Sequence, residues 1–452
     1  MTTPAMQRPA VGATRTAKAP ASAERTLANG LRVVAVRKPG VPVVEVRVRL
    51  PLAAPGGKGG PAHTARLSLL AETILRGTEQ RSDLQIAEEL QRVGGALGAG
   101  SDADRFALGG SALSSGLPTL LEILADVLAH ATFPSRAVTG ERDRIAQDLT
   151  IARTQPGVLA AAALARRIYA GHPYSSELAR VEAVQQVTPA QVRALHTKRV
   201  GPHDGLVVIV GDLTPARMLD AAEKALGGWQ SSAGVDAELP AAPAIVPGAI
   251  QVANRPGAVQ TNIRFAGNAL TREDPAYSAL LLAHTVFGGY FSSRLVANIR
   301  EDKGYTYSPR SSIDHARAGS TFSVAADVST AVTAPALAET LHELLRITTV
   351  KVGQEELDAA RSYSIGSLAL RTATQAGLAT TLAALLPAGV GLTWLREQPR
   401  RLEAVTVDAA LDAAARIMAP SRLATVLLGD ADMIAGPVGV IAPVEVTDIS
   451  DL

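Results

Sequence analysis

No cysteine occurs anywhere in the 452 residues. That removes disulfide frameworks, thiolate metal sites and cysteine nucleophiles together, and it fits a cytoplasmic setting. An excess of either charge is also lacking, since 44 basic and 42 acidic residues leave a formal charge of +2. With no long basic run interleaved with aromatics, nucleic-acid binding is disfavoured. Long hydrophobic runs are missing too. The alanine-rich stretches Val158 to Ile168 and Leu378 to Leu386 are too short to cross a bilayer, and charges, Gly or Pro bound them, so no membrane anchor is expected. The first 24 residues, rich in Ala, Pro and Thr, carry no apolar segment of signal-peptide type and read as a disordered tail.

Two familiar catalytic motifs are absent as well. There is no Gly-x-x-x-x-Gly-Lys-Ser/Thr phosphate loop and no Gly-x-Ser-x-Gly nucleophile elbow. The glycines at Gly56, Gly57, Gly59 and Gly60 around Lys58 read as a flexible turn rather than an anion cradle. Histidines at His63, His130, His172, His196, His203, His284 and His315 show no His-x-x-x-His or His-x-x-Glu-His spacing, and His63 reads as a helix-start residue.

What is present is 47% hydrophobic residues on a chain long enough for two or more domains, each with its own core. From Gly30 to Leu50 the pattern predicts two strands around Lys38-Pro39-Gly40. Helices are predicted over Pro61 to Leu75 and Ser82 to Val93, then β segments at Ala96 to Ala99 and Arg105 to Ala112. Further helices follow near Leu117 to Ala131, Ser135 to Ile151, Val158 to Tyr169 and Pro189 to His196. A strand at Gly205 to Gly211 and a helix capped by Thr214 close the first half.

The second half repeats the first. Val252 to Gly257 followed by Thr261 to Phe265 echoes Val34 to Gly40 followed by Val46 to Leu50, with Pro256 lying 217 positions after Pro39. Pro275-Ala276-Tyr277-Ser278-Ala279 opens a helix as Pro61-Ala62-His63-Thr64-Ala65 does, at an offset of 214. Two concordant offsets point to duplication. The expected organisation is a tail over 1–24, a first domain over 25–226, a Gly/Ser/Pro-rich linker over 227–247 and a second domain over 248–452. Each domain is expected to be an α+β unit, a mainly antiparallel sheet covered by helices.

Motif and plausible chemistry coincide in Phe287 to Ser308, FGGYFSSRLVANIREDKGYTYS. Gly288 and Gly289 predict a turn, Ser292 and Ser293 a cap, and a short helix follows with Leu295 and Ile299 toward a core. Gly304 ends it, and the run from Tyr305 to Ile313 starts a strand. Arg300 and Tyr307 then converge across the turn, a guanidinium and a phenol able to hold a peptide carbonyl or an oxyanion. On spacing alone, a surface Arg beside a half-buried Tyr is the alternative.

This stretch resembles the C-terminal signature of the pitrilysin/insulinase-type zinc metallopeptidases, in which a Gly-Gly turn and Ser-Arg-Leu lead into Arg-Glu-x-x-Gly-x-x-Tyr-Ser. The resemblance runs from about Glu24 to Met433 and places the family's Arg/Tyr pair on Arg300 and Tyr307. It implies two duplicated halves, together forming a half-shell, that face each other across a peptide-holding cavity. It also implies an inverted zinc motif, His-x-x-Glu-His, shortly before Gly77-Thr78. Here that motif falls on Ser68-Leu69-Leu70-Ala71-Glu72: the histidine positions are Ser68 and Glu72 and the general-base position is Ala71. The third ligand of active relatives aligns with either Glu141 or Asp148.

Zinc needs several well-placed donors and an open water position, and this set is poor. The resemblance therefore implies a non-catalytic, substrate-binding subunit of a heteromeric zinc metalloendopeptidase. In that reading no cofactor belongs to this chain, and zinc and general base come from a related catalytic partner acting on a peptide. The competing expectation is a structural scaffold of the same fold, like the respiratory core subunits; residual hydrolysis by this chain alone is disfavoured by Ser68, Ala71 and Glu72.

Overall fold

The structure is a computed structural model that describes residues 19–53, 59–176, 179–231 and 239–449. Its framework is two six-stranded sheets. The first contains β1 (Ser22–Thr26), β2 (Arg32–Arg37), β3 (Val43–Pro51), β4 (Ala96–Ser101), β5 (Arg105–Leu113) and β6 (Leu206–Gly211), in the order β1-β2-β6-β3-β5-β4. The second contains β7 (Ile250–Asn254), β8 (Gln260–Ala269), β9 (Arg310–Ala316), β10 (Gly319–Ser329), β11 (Ala424–Gly429) and β12 (Val444–Asp448), in the order β12-β7-β11-β8-β10-β9.

Five strands of one sheet map onto five of the other in the same spatial order, which is the duplication at the level of topology. The β2–β6 and β7–β11 pairs are parallel, because each chain leaves one strand, builds most of its half and returns beside it. The β3–β5–β4 and β8–β10–β9 segments of the sheets are antiparallel. Only the outer edges differ: β1 runs antiparallel to β2, whereas β12 runs parallel to β7. The antiparallel character expected for both sheets holds for most pairs.

Strand patterning explains the layers. β3 and β5 alternate buried and half-buried residues, with Val44, Val46, Val48 and Leu50 facing a helix-covered core. β6 and β11 are buried at every position, as central strands covered on both faces must be. What covers the second face comes from the other half. The helix Gln375–Leu385 of the second half lays Leu378, Ala379, Leu382 and Ala383 on Val34, Val36, Val208 and Val210 of the first sheet. Reciprocally, the helix Pro156–Ile168 of the first half lays Leu159, Ala160, Ala163 and Leu164 on Ala253, Ala266, Val426 and Leu428 of the second. The small residues let helix and sheet approach closely, and polar contacts fix the register: Gln375 donates to the carbonyls of Lys38 (3.0 Å) and Val41 (2.9 Å), and Arg167 to that of Ala249 (2.9 Å).

Several expectations need correction. Residues 1–18 lie outside the described residues, but Ser22–Glu24, expected in the tail, already pair with Val34–Val36 in β1. The glycines around Lys58 fall largely outside too, as do residues 232–238 of the expected linker. Its flanks are fastened, Ser231 to the carbonyl of Val200 (2.7 Å) and the Ala242 amide to that of Ala318 (3.0 Å). The strand expected from Tyr305 begins only at Arg310, because Thr306 instead bridges to Val328 and donates to the carbonyl of Asp327 (2.7 Å). Among the helices not expected from the sequence, Leu392–Glu403 and Ala431–Gly439 each carry an interior proline that obscures their period.

No single helix among the described residues is long and apolar enough to cross a membrane. One pair bent by 94°, Gln375–Ala388 with Leu392–Glu403, passes on length and composition, yet its apolar face is spent on the first sheet.

Candidate functional site

The positions that the resemblance assigns to the metal motif sit on the helix Gly60–Thr73, which Pro61 opens and whose inner face packs Leu67, Leu70 and Ala71 into the first core. Its end is fixed by Gly77 and Thr78. Gly77 adopts φ +130°, a conformation that favours glycine, and the Thr78 hydroxyl donates to buried Asp126 (2.7 Å) while accepting from the amides of Gln80 and Arg81. The second contributing helix, Ser135–Ala152, crosses the first and carries Glu141, Arg144 and Asp148.

Arg144 joins these positions. Its guanidinium lies 2.8 Å from Glu72, 2.7 Å from Glu141 and 2.9 Å from Asp148, and Arg76 adds a second contact to Glu141 at 2.7 Å. Burial tends to raise the Glu141 carboxyl, but Arg144 and Arg76 outweigh it and hold the group below its ordinary range. Both candidates for a third ligand are thus engaged by one cation, as is the residue at the second histidine position. The Ser68 hydroxyl donates to the Thr64 carbonyl of its own helix (3.0 Å), and Ala71 is buried and offers no base.

These residues do not fit zinc. A structural or catalytic zinc site needs three or four N, O or S donors converging on one point, and among the described residues no group of three or more His, Asp or Glu side chains is so arranged. The carboxylates converge on a guanidinium instead. Neighbouring His63, expected as a helix-start residue, is buried without a partner for Nε2; burial chiefly, with Arg199, pushes its pKa down to about 4.

The second cluster is built on the segment that carries the signature. Its glycines close a π-helical turn, Thr285–Gly289, rather than opening a tight turn. Small size is what the positions demand: a Cβ on Gly288 would stand 2.7 Å from the Ser311 hydroxyl oxygen, and one on Gly289 2.7 Å from the His284 ring. Ser293 has N-cap backbone geometry, but its buried hydroxyl makes no capping bond, so the expected side-chain cap is not formed. The short helix Arg294–Val296 runs on into a π-helical turn, Ala297–Asp302, with Leu295 and Ile299 fully buried as their spacing predicts. Gly304, at φ +64°, ends it, with its amide on the Arg300 carbonyl (3.1 Å) and that of Tyr305 on Ile299 (2.9 Å).

That turn brings Arg300 and Tyr307 together. The guanidinium carbon lies 4.8 Å from the centroid of the Tyr307 ring and 4.8 Å from that of Phe291, so Arg300 is held between two aromatic rings. Its Nε also pairs with Glu301 at 3.2 Å. The Tyr307 ring is 81% exposed and Phe291 65% exposed. The platform is anchored from below, since Arg294 makes a paired contact with Glu356 (2.7 and 2.6 Å) and Asn298 donates to Glu339 and Glu343, both at 3.0 Å. Phe291 was not singled out by the sequence reading, and neither was Arg144. Each acts through a partner on another turn or helix, which no local spacing reveals.

Between the halves lies a cleft of about 520 Å³, walled by Asp104, Arg105 and Tyr169 from the first half and Arg264, Arg310 and His315 from the second. The fold thus has a concave space contributed by both repeats.

Comparison with known sequences defines the class. Residues 67–182 match the family described as insulinase (peptidase family M16), and residues 186–363 match that described as the peptidase M16 inactive domain. The chain belongs to the insulinase-type M16 peptidase family, of the kind lacking an intact metal motif. An uncharacterized zinc protease of Mycobacterium tuberculosis is 27% identical over 308 residues, 64% of this chain and 66% of that protein. The match therefore spans just under two thirds of that relative's length. A zinc protease of Bacillus subtilis is 22% identical over 63% of this chain and 68% of its own. Among solved structures, a peptidase M16 inactive domain from Pseudomonas fluorescens superposes with TM-score 0.83 at 22% identity, over 90% of this chain and 98% of that one. A protease from Helicobacter pylori gives TM-score 0.80 at 18% identity, over 91% and 100%; both likenesses concern the fold.

Proposed function

We propose that this chain is the non-catalytic, substrate-binding subunit of a heteromeric zinc metalloendopeptidase, in which a homologous partner supplies zinc and general base. The observation that carries the reading is the contrast between the two clusters. At the positions the resemblance assigns to the metal motif, Glu72, Glu141 and Asp148 are paired with Arg144, and the general-base position is Ala71, whose side chain takes no proton. At the signature, Arg300 and Tyr307 stay at the surface on an anchored platform, with donors available to a peptide carbonyl.

In the complex, this chain's work is binding and orientation. The Arg300 guanidinium, held between two rings, and the Tyr307 hydroxyl would grip the carbonyl oxygen of the scissile peptide as it gains negative charge. The partner's zinc, when bound, would supply the activated water. A peptide substrate and a cytoplasmic location belong to this same reading.

The test is reconstitution. The purified chain should carry no stoichiometric zinc and cleave no unstructured peptide, and activity should appear on mixing with a zinc-bearing relative that co-elutes with it. Zinc held one per chain would overturn the non-catalytic assignment. Failure to associate or to stimulate cleavage would favour the scaffold reading.

A further inference from the structure

The second half contains a cavity that the peptidase reading does not use. It has a volume of about 640 Å³ and lies behind the Thr285–Gly289 turn, with the helices Gln354–Arg371, Gln375–Leu385 and Leu392–Glu403 as its other walls. Its size suits a small organic ligand.

Three features give it a chemical preference. First, Arg272 and Arg371 both line it, and neither makes an ion pair with a carboxylate among the described residues. They are close enough to repel: burial is the largest influence holding the Arg272 guanidinium below its ordinary range, Tyr277 pushes it the other way, and Arg371 adds to the depression. Second, His284 lines the same cavity, is only 8% exposed, and its ring nitrogens make no hydrogen bond of good geometry, with the Ser311 backbone the one polar group close to the ring. A buried imidazole with both nitrogens unsatisfied is costly unless something else binds it. Third, the rings of Tyr277, Tyr363 and Trp394 form aromatic wall, with Tyr277 and Trp394 6.0 Å apart and tilted by 47°.

We propose that this cavity binds a small organic oxyanion, a carboxylate or phosphate attached to an apolar or aromatic body, through Arg272, Arg371 and the N–H of His284. Two guanidinium groups without a carboxylate partner supply the charge, Arg272 keeping its hydrogen bond to Tyr277, and planar forks of this kind match an oxyanion's geometry. The neutral imidazole donates one further bond, and the aromatic wall takes the body of the ligand.

The inference does not depend on the subunit reading, and its test involves neither zinc nor cleavage. Isothermal titration of the full chain with N-acetyl-L-phenylalanine, its carboxamide and inorganic phosphate separates the possibilities. The carboxylate should bind one to one, and the uncharged carboxamide about tenfold more weakly or worse. Phosphate competing with the carboxylate would place the same oxyanion subsite under both, and whichever binds more tightly identifies the head group. Arg371→Gln, at an exposed position where folding is not at stake, should weaken binding by about tenfold or more. His284→Phe keeps the ring packing against Phe322 and should weaken it several-fold. No heat from any probe up to about 10 mM, equal binding of carboxylate and carboxamide, or unchanged affinity in Arg371→Gln would each overturn the proposal.

Discussion

The phenol of Tyr174, in the first half, donates a 2.6 Å hydrogen bond to buried Asp104 and accepts one of 2.9 Å from the amide of Ala318 in the second. Asp104 also accepts from the Arg317 amide at 3.0 Å, so the β9–β10 hairpin turn is tied to the first half at one small polar node. Burial tends to raise the Asp104 carboxyl, but the hydrogen bonds from its surroundings outweigh this and hold it below the ordinary carboxylate range. Tyr174→Phe removes one donor from the Asp104 carboxylate, which keeps the Arg317 amide, and leaves the Ala318 amide without its acceptor. It should destabilise the fold by about 1–3 kcal/mol in urea unfolding, without changing secondary structure by circular dichroism.

The reciprocal helices are expected to make unfolding of the halves interdependent. Leu382 is fully buried against the other half's sheet, so Leu382→Ala should cost about 2–5 kcal/mol. It should also split a single calorimetric transition into two, because it loosens the docking of one half while leaving each half's own core intact. A merely shifted single transition would show that the halves are coupled elsewhere.

At the signature, Tyr307→Phe retains the ring stacked on Arg300 and removes only an exposed hydroxyl, so stability should stay within about 0.5 kcal/mol of wild type. Turnover of the reconstituted complex should nonetheless fall on the order of a hundredfold, or about 3 kcal/mol, the usual cost of one oxyanion donor. Arg300→Ala should cost as much in turnover and in addition lose about 0.5–1 kcal/mol of stability through its two ring contacts. Wild-type turnover in both variants would reduce the pair to a structural role.

Acid should weaken the fold partly through buried histidines. Burial chiefly lowers His63 and His315 to about 4, with Arg199 acting on the first and Arg272 on the second. Below the ordinary histidine pKa of about 6.5 the unfolded chain takes up these protons and the folded chain does not. The stabilisation is complete above that value and is lost as pH falls from about 6.5 toward 4. Each histidine should contribute a loss on the order of 1–2 kcal/mol between pH 7 and pH 5 in denaturant titrations, and His63→Gln should flatten the slope.

Much of this molecule was legible in the order of its residues. Alternation in Val44 to Leu50, the N-cap at Thr214, the echo of Val34 to Gly40 in Val252 to Gly257, and the terminating glycine at 304 each act over a few residues, and each appears where its spacing places it. The absence of any His-x-x-Glu-His is likewise a fact of sequence alone. Tertiary structure decided what stands among the remaining carboxylates, because Arg144 meets Glu72 only when two helices cross 72 residues apart in the chain. It also decided that Phe291 completes the clasp on Arg300, that each half lends a helix to the other's sheet, and that His284 lines a cavity. Such relationships depend on packing between elements far apart in sequence, and periodicity along one element carries no record of which distant surface it will meet.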